Sequence, residues 1–437
     1  MDGIVSARQM GAQVVDYLRR VADDELDELL PGLPAIAIEG AKGVGKTATA
    51  ERRAATVHRL DDPGQRAIAE AEPARLAIGA PPILIDEWQR LPVAWDIVRR
   101  SVDSDRTPGR FLLTGSATPG DAPTHSGAGR IVTLRMRPLT LPERGVARPT
   151  VSLRALLSGA RPSIAGTTGV SLEDYAREIV ASGFPGLRGL PERACRAQLD
   201  GYVARIVEHD FPDMGRAVRN PAALRRWLTA YAAASSTTAS YETIRDAATG
   251  GHGEKPAKTT TAPYVDILQR LWIIEPVPAW LPTPNRIARL ASPPRHQLAD
   301  PALAARLLGI GGDGLLTGRG AGPGGPSTGT LLGALFESLA TLSVRVFAQA
   351  AEGAVYHLRT RGGEREIDLI VEGEGLSVLA IEVKLGQSVS DTDVRHLGWL
   401  REQVGDALLD AVVLTTGREA YRRPDGIAVV PLALLGP

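Results

Sequence analysis

Residues 40–47 read Gly-Ala-Lys-Gly-Val-Gly-Lys-Thr, which fills every fixed position of the spacing Gly-x-x-x-x-Gly-Lys-Ser/Thr. Glycines in that spacing let successive backbone N–H groups turn inward around phosphate oxygens, the lysine reaches the terminal phosphates, and the hydroxyl binds Mg²⁺ at the start of a helix. Gly40, Ala41, Lys42, Gly43, Val44, Gly45, Lys46 and Thr47 are therefore the expected nucleotide cradle, with ATP and Mg²⁺ as its ligands. The flanks agree, because the apolar run 35–38 precedes the loop as a strand and residues 48–55 can continue as helix. Lysine itself is scarce: Lys42, Lys46, Lys255, Lys258 and Lys384 are the five in the chain, so 45 of its 50 basic residues are arginine. A chain that favours arginine keeps lysine where a guanidinium cannot do the work.

Further along, Ile-Leu-Ile-Asp-Glu at 83–87 is an apolar strand ending in two acids. After a phosphate loop that placement suits Asp86 to Mg²⁺ and Glu87 to orienting and deprotonating the attacking water. Residues 111–116 form another strand ending in hydroxyls, where Thr114 or Ser116 can sense the γ-phosphate. Arg130, just before the next apolar run, can meet nucleotide charge in its own subunit or a neighbour's, and the second case requires self-association. The runs 35–38, 56–60, 83–85, 111–114 and 131–134 alternate with helix-compatible segments, the pattern of buried strands in a parallel α/β sheet.

The loop at 40–47, Leu60-Asp61-Asp62, residues 85–92, Thr114-Gly115-Ser116, Gly129-Arg130, Arg137-Pro138-Leu139 and Ser182-Gly183-Phe184-Pro185 together resemble a prokaryotic family of AAA-type ATPases. The resemblance implies an ATPase core at 35–145, a helical and winged-helix region at 146–308 and a C-terminal α/β restriction-endonuclease-like domain at 331–437; helical spacing adds N-terminal helices at 1–34, and the Gly- and Pro-rich tract at 309–330, which cannot bury a core, reads as a linker. It also implies Asp86 and Glu87 as the Mg²⁺ and water-activating acids, and Arg130 as an arginine finger or sensor. It supplies no substrate.

In the last of these regions, 364–371 and 377–385 read as two strands joined by a Gly-containing turn. Alternation puts Glu382 and Lys384 on one face, with Asp368 beside them in a conventional register. This segment resembles PD-(D/E)xK nucleases, which implies that Asp368 and Glu382, with Glu337 from the opening helix, hold a divalent metal while Lys384 orients or activates water. The proline of that motif is absent, with Ile367 before Asp368. Residues 331–437 carry ten basic and fifteen acidic side chains, an unusual balance for a surface that must approach phosphates. Two readings stay open: a metal-dependent nuclease gated by ATP hydrolysis and acting on DNA, and a nucleotide-dependent switch binding protein partners through a silent nuclease fold.

Length and composition bound the rest. At 437 residues the chain can form several domains, and its formal charge of zero means that a DNA partner needs a local basic surface. Residues 196–300 offer one, with thirteen Lys and Arg against ten Asp and Glu, including Arg225, Arg226, Lys255 and Lys258. A winged segment is expected there, with helices at 241–247 and 264–271 and a strand at 272–277. Helical spacing at 7–30 predicts a first helix with Met10, Val14 and Val15 on its apolar stripe. Cys195 stands alone, and the first thirty residues lack an apolar signal core, so a cytoplasmic location is expected. No window approaches the about 20 apolar residues of a membrane helix, and no membrane partner is expected. His209, His252 and His296 are too scattered for a zinc site.

Overall fold

The computed structural model describes residues 17–117, 126–215, 220–249, 258–282, 292–317 and 328–437. Met10, Val14 and Val15, together with His252 and Lys255, lie outside them; within the described residues the helix expected over 7–30 begins only at Val21, because Arg20 is extended and caps it, and it spans Val21–Leu29. Five strands, β1 (Ala35–Glu39), β2 (Thr56–Arg59), β3 (Ile83–Asp86), β4 (Phe111–Gly115) and β5 (Val132–Arg135), form a parallel sheet in the order β2-β3-β4-β1-β5. Side chains alternate between its faces: Ile36, Ile38, Leu84 and Leu112 enter one core, while Ala35, Ala37, Ile85 and Leu113 enter another with Trp88, Trp95 and Val98. Residues following the carboxyl ends of β1, β3 and β4 consequently meet at one edge, where ligands bind in open parallel sheets. The helix after the phosphate loop ends at Glu51, short of the expected residue 55.

The middle region is largely helical. Tyr241–Ala247 forms as expected, and the following helix starts earlier than expected, spanning Lys258–Arg270. The strand expected at 272–277 does not form. Instead Trp272 adopts φ 62°, and the segment makes two isolated antiparallel bridges, Ile274 with Leu298 and Val277 with Arg295. Tertiary packing overrides the apolar run: the Arg135 guanidinium lies 3.7 Å over the Trp272 ring, and the chain turns to present it. The tract expected as a Gly-rich linker is also partly ordered, because Gly312–Thr317 is a helix whose Leu315 is buried; residues 318–327 lie outside the described residues.

Ten further strands follow: β6 (Val151–Ser152), β7 (Gly166–Thr167), β8 (Ala279–Trp280), β9 (Ala354–Arg359), β10 (Glu366–Glu372), β11 (Val378–Lys384), β12 (Leu408–Thr415), β13 (Glu419–Arg422), β14 (Ala428–Pro431) and β15 (Leu435–Gly436). Eight of them form a mixed sheet in the order β7-β13-β14-β12-β11-β10-β9-β8. β10 and β11 are the antiparallel pair anticipated from the sequence. The helix Thr328–Ala350 packs on one face and the helix Asp391–Val404 on the other. Residues Thr330–Ala350 are long and apolar enough to cross a membrane, with a mean hydropathy of 1.5, against the expectation that no window approaches that length. With 83% of the apolar window buried by the rest of the chain, this helix serves as a core helix.

All regions meet around Glu275. Its carboxylate accepts Arg137 Nε at 3.1 Å and Arg137 Nη2 at 2.6 Å, and Arg345 binds the Glu275 backbone carbonyl at 2.6 Å. Arg137 Nη1 continues to Gln349 at 2.9 Å, and the Gln349 amide donates to Glu25 at 3.1 Å and to the Arg135 carbonyl at 2.9 Å. Burial opposes the charge of Glu275, yet Arg137, Arg345 and Arg135 hold its carboxyl well below the usual range. Glu25 is half-buried with the Gln349 amide on its carboxylate, and its partial burial pushes it up to about 7. Glu275→Gln leaves these arginines without their acid and is expected to cost about 3 kcal/mol at neutral pH in urea denaturation. Because the native carboxyl titrates below its unfolded value, its stabilisation is full above about pH 4.3 and fades below. The gap between wild type and variant therefore narrows in acid; a constant gap across that range contradicts this role.

Candidate functional site

Gly43 (φ 80°) and Gly45 (φ 99°) lie in the left-handed region that L residues avoid. Gly40 is required by space instead, since a Cβ there would sit 2.2 Å from the Met136 carbonyl oxygen. Lys46 opens the helix Lys46–Glu51 and is 4% exposed, its ammonium donating to the carbonyls of Gly40 and Ala41 at 2.9 Å each. Burial brings its pKa down to about 8; Glu87 pulls it back up, while Arg135 adds to the depression. Thr47 Oγ1 donates to Asp86 Oδ1 at 2.7 Å, and the Thr114 hydroxyl donates to the same oxygen. Glu87 has left-handed backbone angles (φ 55°, ψ 46°), and its carboxylate is held by Ser116 Oγ at 2.8 Å and Gln89 Nε2 at 2.5 Å. Its N–H donates to Thr114 Oγ1 at 3.2 Å. A strained non-glycine residue carrying an oriented carboxylate is a common mark of a functional position.

Lys46, Thr47, Asp86, Glu87 and Thr114 are thus gathered at one edge of the sheet. Ser116 contributes by orienting Glu87. Thr47 and Asp86 present adjacent hard oxygen donors, the chemistry Mg²⁺ takes from a protein. Arg130 stands apart from this group: its side chain is 38% exposed and pairs with Asp103 at 2.8 Å, on the surface rather than on the loop.

Of the further loop contacts only Phe184 and Pro185 belong to a stretch singled out in the sequence; those of Lys42, Arg20, Tyr202 and Asp210 left no motif to find. Lys42 pairs with Asp210 at 2.5 Å, and Tyr202 donates to the Lys42 carbonyl at 3.0 Å. Asp210 ends a π-helical turn, Ile206–Asp210, a distortion that re-aims side chains. Arg20 donates to the Val44 carbonyl at 2.8 Å and is neutralised by Glu143 at 3.1 Å. Phe184 and Pro185 lie against Gly43 and Gly45. Asp300 fixes that covering turn by accepting Ser182 Oγ at 3.0 Å, the Gly183 N–H at 2.6 Å and the Ala302 N–H at 2.8 Å. The helical region therefore closes over the loop.

In the C-terminal sheet the register Leu369 to Ile381 sets Asp368 across from Glu382, as the sequence predicted. The acids expected as a metal set, Asp368, Glu382 and Glu337, have basic side chains and a backbone N–H as their partners here. Arg295 from the middle region donates to Asp368 Oδ1 at 2.8 Å and also contacts Glu337 and Glu366. Asp368 Oδ2 accepts the Val383 N–H at 2.8 Å, and Lys384 Nζ binds Glu382 Oε1 at 2.7 Å. Among the described residues no group of three His, Cys, Asp or Glu is arranged to hold a metal ion. Burial, helped by Asp368, pushes Glu382 up to about 8 despite Lys384, and burial raises Glu337 well above the carboxylate range.

Residues 33–144 match the AAA domain family. The chain carries an AAA-type P-loop ATPase domain. Residues 172–314 and 332–435 match two domains of unknown function, DUF8612 and DUF4143. Uncharacterized proteins of Mycobacterium bovis and Mycobacterium tuberculosis are each 30% identical over 296 residues, 67% of this chain and 56% of theirs, so the AAA-type chain spans about half the length of these curated relatives. Among solved structures, a Walker-type ATPase of Pyrococcus abyssi is 15% identical, with 67% of this chain and 96% of that chain covered and a TM-score of 0.38. The Drosophila ORC bound to DNA is 12% identical, with 66% of this chain and 94% of that chain covered and a TM-score of 0.20.

Phosphates beside Lys46 favour its charged form and raise its pKa. Nucleotide binding above pH 8 is therefore expected to take up protons, seen as different calorimetric heats in two buffers of unlike ionisation enthalpy. Equal heats would mean that Lys46 is fully charged before binding.

Proposed function

We propose that the protein binds and hydrolyses ATP at residues 40–47 and passes the state of that site to the helical region covering it. The supporting observation is the Thr47–Asp86–Thr114 hydroxyl–carboxylate cluster beside a Glu87 carboxylate already aimed by Ser116 and Gln89. Loop N–H groups and Lys46 would take the phosphates, Thr47 and Asp86 would hold Mg²⁺, and Glu87 would accept a proton from the attacking water. The metal, when bound, neutralises phosphate charge that develops during transfer. Lys42, Tyr202 and Asp210 join the loop to the helical region, so a shift of the loop moves the region that carries Arg225, Arg226 and Lys258. Those three residues are exposed, and in this reading they dock on a DNA backbone. Arg130, in its own subunit or in a self-associated neighbour, would need to leave Asp103 to reach a nucleotide.

A second reading, the switch that acts through protein partners, is favoured by Lys384. Its ammonium is committed to Glu382 at 2.7 Å, which suits a structural ion pair in a silent nuclease-like fold.

Glu87→Gln is expected to lower ATP hydrolysis by about 100-fold or more while leaving nucleotide binding within a few-fold. Phosphate release and fluorescent-nucleotide titration measure the two, and undiminished hydrolysis would sink the assignment of Glu87. Anisotropy with duplex and branched DNA at low salt separates the two readings, because a nucleotide-hydrolysing protein with no affinity for either is left with protein partners.

A further inference from the structure

The carboxylate cluster of the C-terminal domain already contains a cation. The Arg295 side chain is 2% exposed, with Nη1 on Glu337 and Asp368 and Nη2 on Glu366. Burial alone would weaken its charge, but Glu337 and Asp368 more than offset this and raise its pKa further. Its backbone is fixed on both sides. Arg295 N–H donates to the Val277 carbonyl at 2.9 Å and its carbonyl accepts the Val277 N–H at 2.8 Å, while the neighbouring His296 exchanges backbone bonds with Ser236 and Thr237 at 2.8 and 2.9 Å. This is an arginine delivered by a bonded segment, not a surface side chain folded down by chance. A separate observation bears on the same place: Glu382 Oε2 is buried with no hydrogen-bond donor, across from Asp368. The Lys384 ion pair thus leaves one Glu382 oxygen without a partner.

We propose that Arg295 is the resident cation of this pocket, standing where nuclease-like folds hold a divalent ion, so that the C-terminal domain is locked to the middle region and takes no metal. The inference rests on the silent-fold reading above and is independent of the ATP site. The chemistry favours the substitution. A guanidinium is planar, permanently charged, and forks across two or three carboxylates at once, as a bridging metal does. Being part of the chain, it also meets the acids at a far higher effective concentration than a free ion. While Arg295 lies among them, Glu337, Asp368 and Glu382 do not fit a metal.

The test uses Mn²⁺ with nucleotide-free full-length protein, free Mn²⁺ being followed by electron paramagnetic resonance. Wild type is expected to retain no Mn²⁺ in a manner that depends on Asp368. Arg295→Met, which keeps side-chain volume and removes charge, is expected to gain a site at least about tenfold tighter, to lose it again on adding Asp368→Asn, and to melt at a higher temperature with Mn²⁺ than without. Asp368-dependent Mn²⁺ binding in wild type as tight as in Arg295→Met would overturn the proposal, as would a folded Arg295→Met with no gain. Should the methionine variant not fold, Arg295→Lys cannot span Glu337, Asp368 and Glu366 together and is expected to show a weaker Asp368-dependent gain, its absence counting against the proposal. ATP hydrolysis, read separately, reports on the nucleotide site whichever way the Mn²⁺ result falls.

Discussion

Glu275 and Arg137 form the contact on which the arrangement of the whole chain depends. Withdrawing two opposite charges from water is unfavourable for each alone and becomes tolerable only when they meet in good geometry. Arg137 comes from the segment just after β5, Glu275 from the middle region, and Arg345 and Gln349 from the long helix of the C-terminal domain. Parting Arg137 or Arg345 from Glu275 would leave charge uncompensated. The apolar core that runs from Val21 to Leu435 is continuous for the same reason: the regions are packed into one another rather than strung together.

The same rule is repeated at both chemically interesting places. At the phosphate loop, Lys42 reaches Asp210 and Arg20 reaches Glu143, so the loop is tied to residues far along the chain. At the C-terminal cluster, Arg295 reaches three acids while Lys384 holds a fourth. The lysines near these places use a compact ammonium in close quarters: Lys46 under its own loop carbonyls, Lys42 on a single carboxylate, Lys384 beside Glu382. The arginines do the spanning, Arg137 between Glu275 and Gln349, Arg295 between Asp368, Glu337 and Glu366. The phosphate loop and the C-terminal acids are thus each tied by ion pairs to residues of the middle region, Asp210 and Arg295.

What could be read in advance was whatever local spacing encodes. The phosphate loop, the strand ending in Asp86 and Glu87, and the hairpin that sets Asp368 across from Glu382 all follow from periodicity and short motifs, and they stand where expected. Long-range ion pairs leave no such trace. Arg295 is one arginine among many, and nothing within several residues of it hints at acids on strands far along the chain. Asp210 is equally silent, because its position depends on a π-helical turn that no spacing announces. The Trp272 run failed for the opposite reason: its local signal is strand-like, but stacking beneath Arg135 decides its backbone. Gly312–Thr317 escaped notice because its glycines mask a helix that exists only by burying Leu315.

The two short strands β7 and β8 have a consequence for the solubility of fragments. Gly166–Thr167 pairs with β13 and Ala279–Trp280 with β9, so residues from outside the C-terminal domain cover the two lateral margins of its sheet. A strand with unpaired N–H and C=O groups is a template for any other strand it meets. Cut away from residues 166–167 and 279–280, the C-terminal domain would carry such a template on each side, and its copies would add to one another in rows. The middle region thus acts as a built-in guard against aggregation, and chain cleavage between these parts would remove that guard together with the ion pairs.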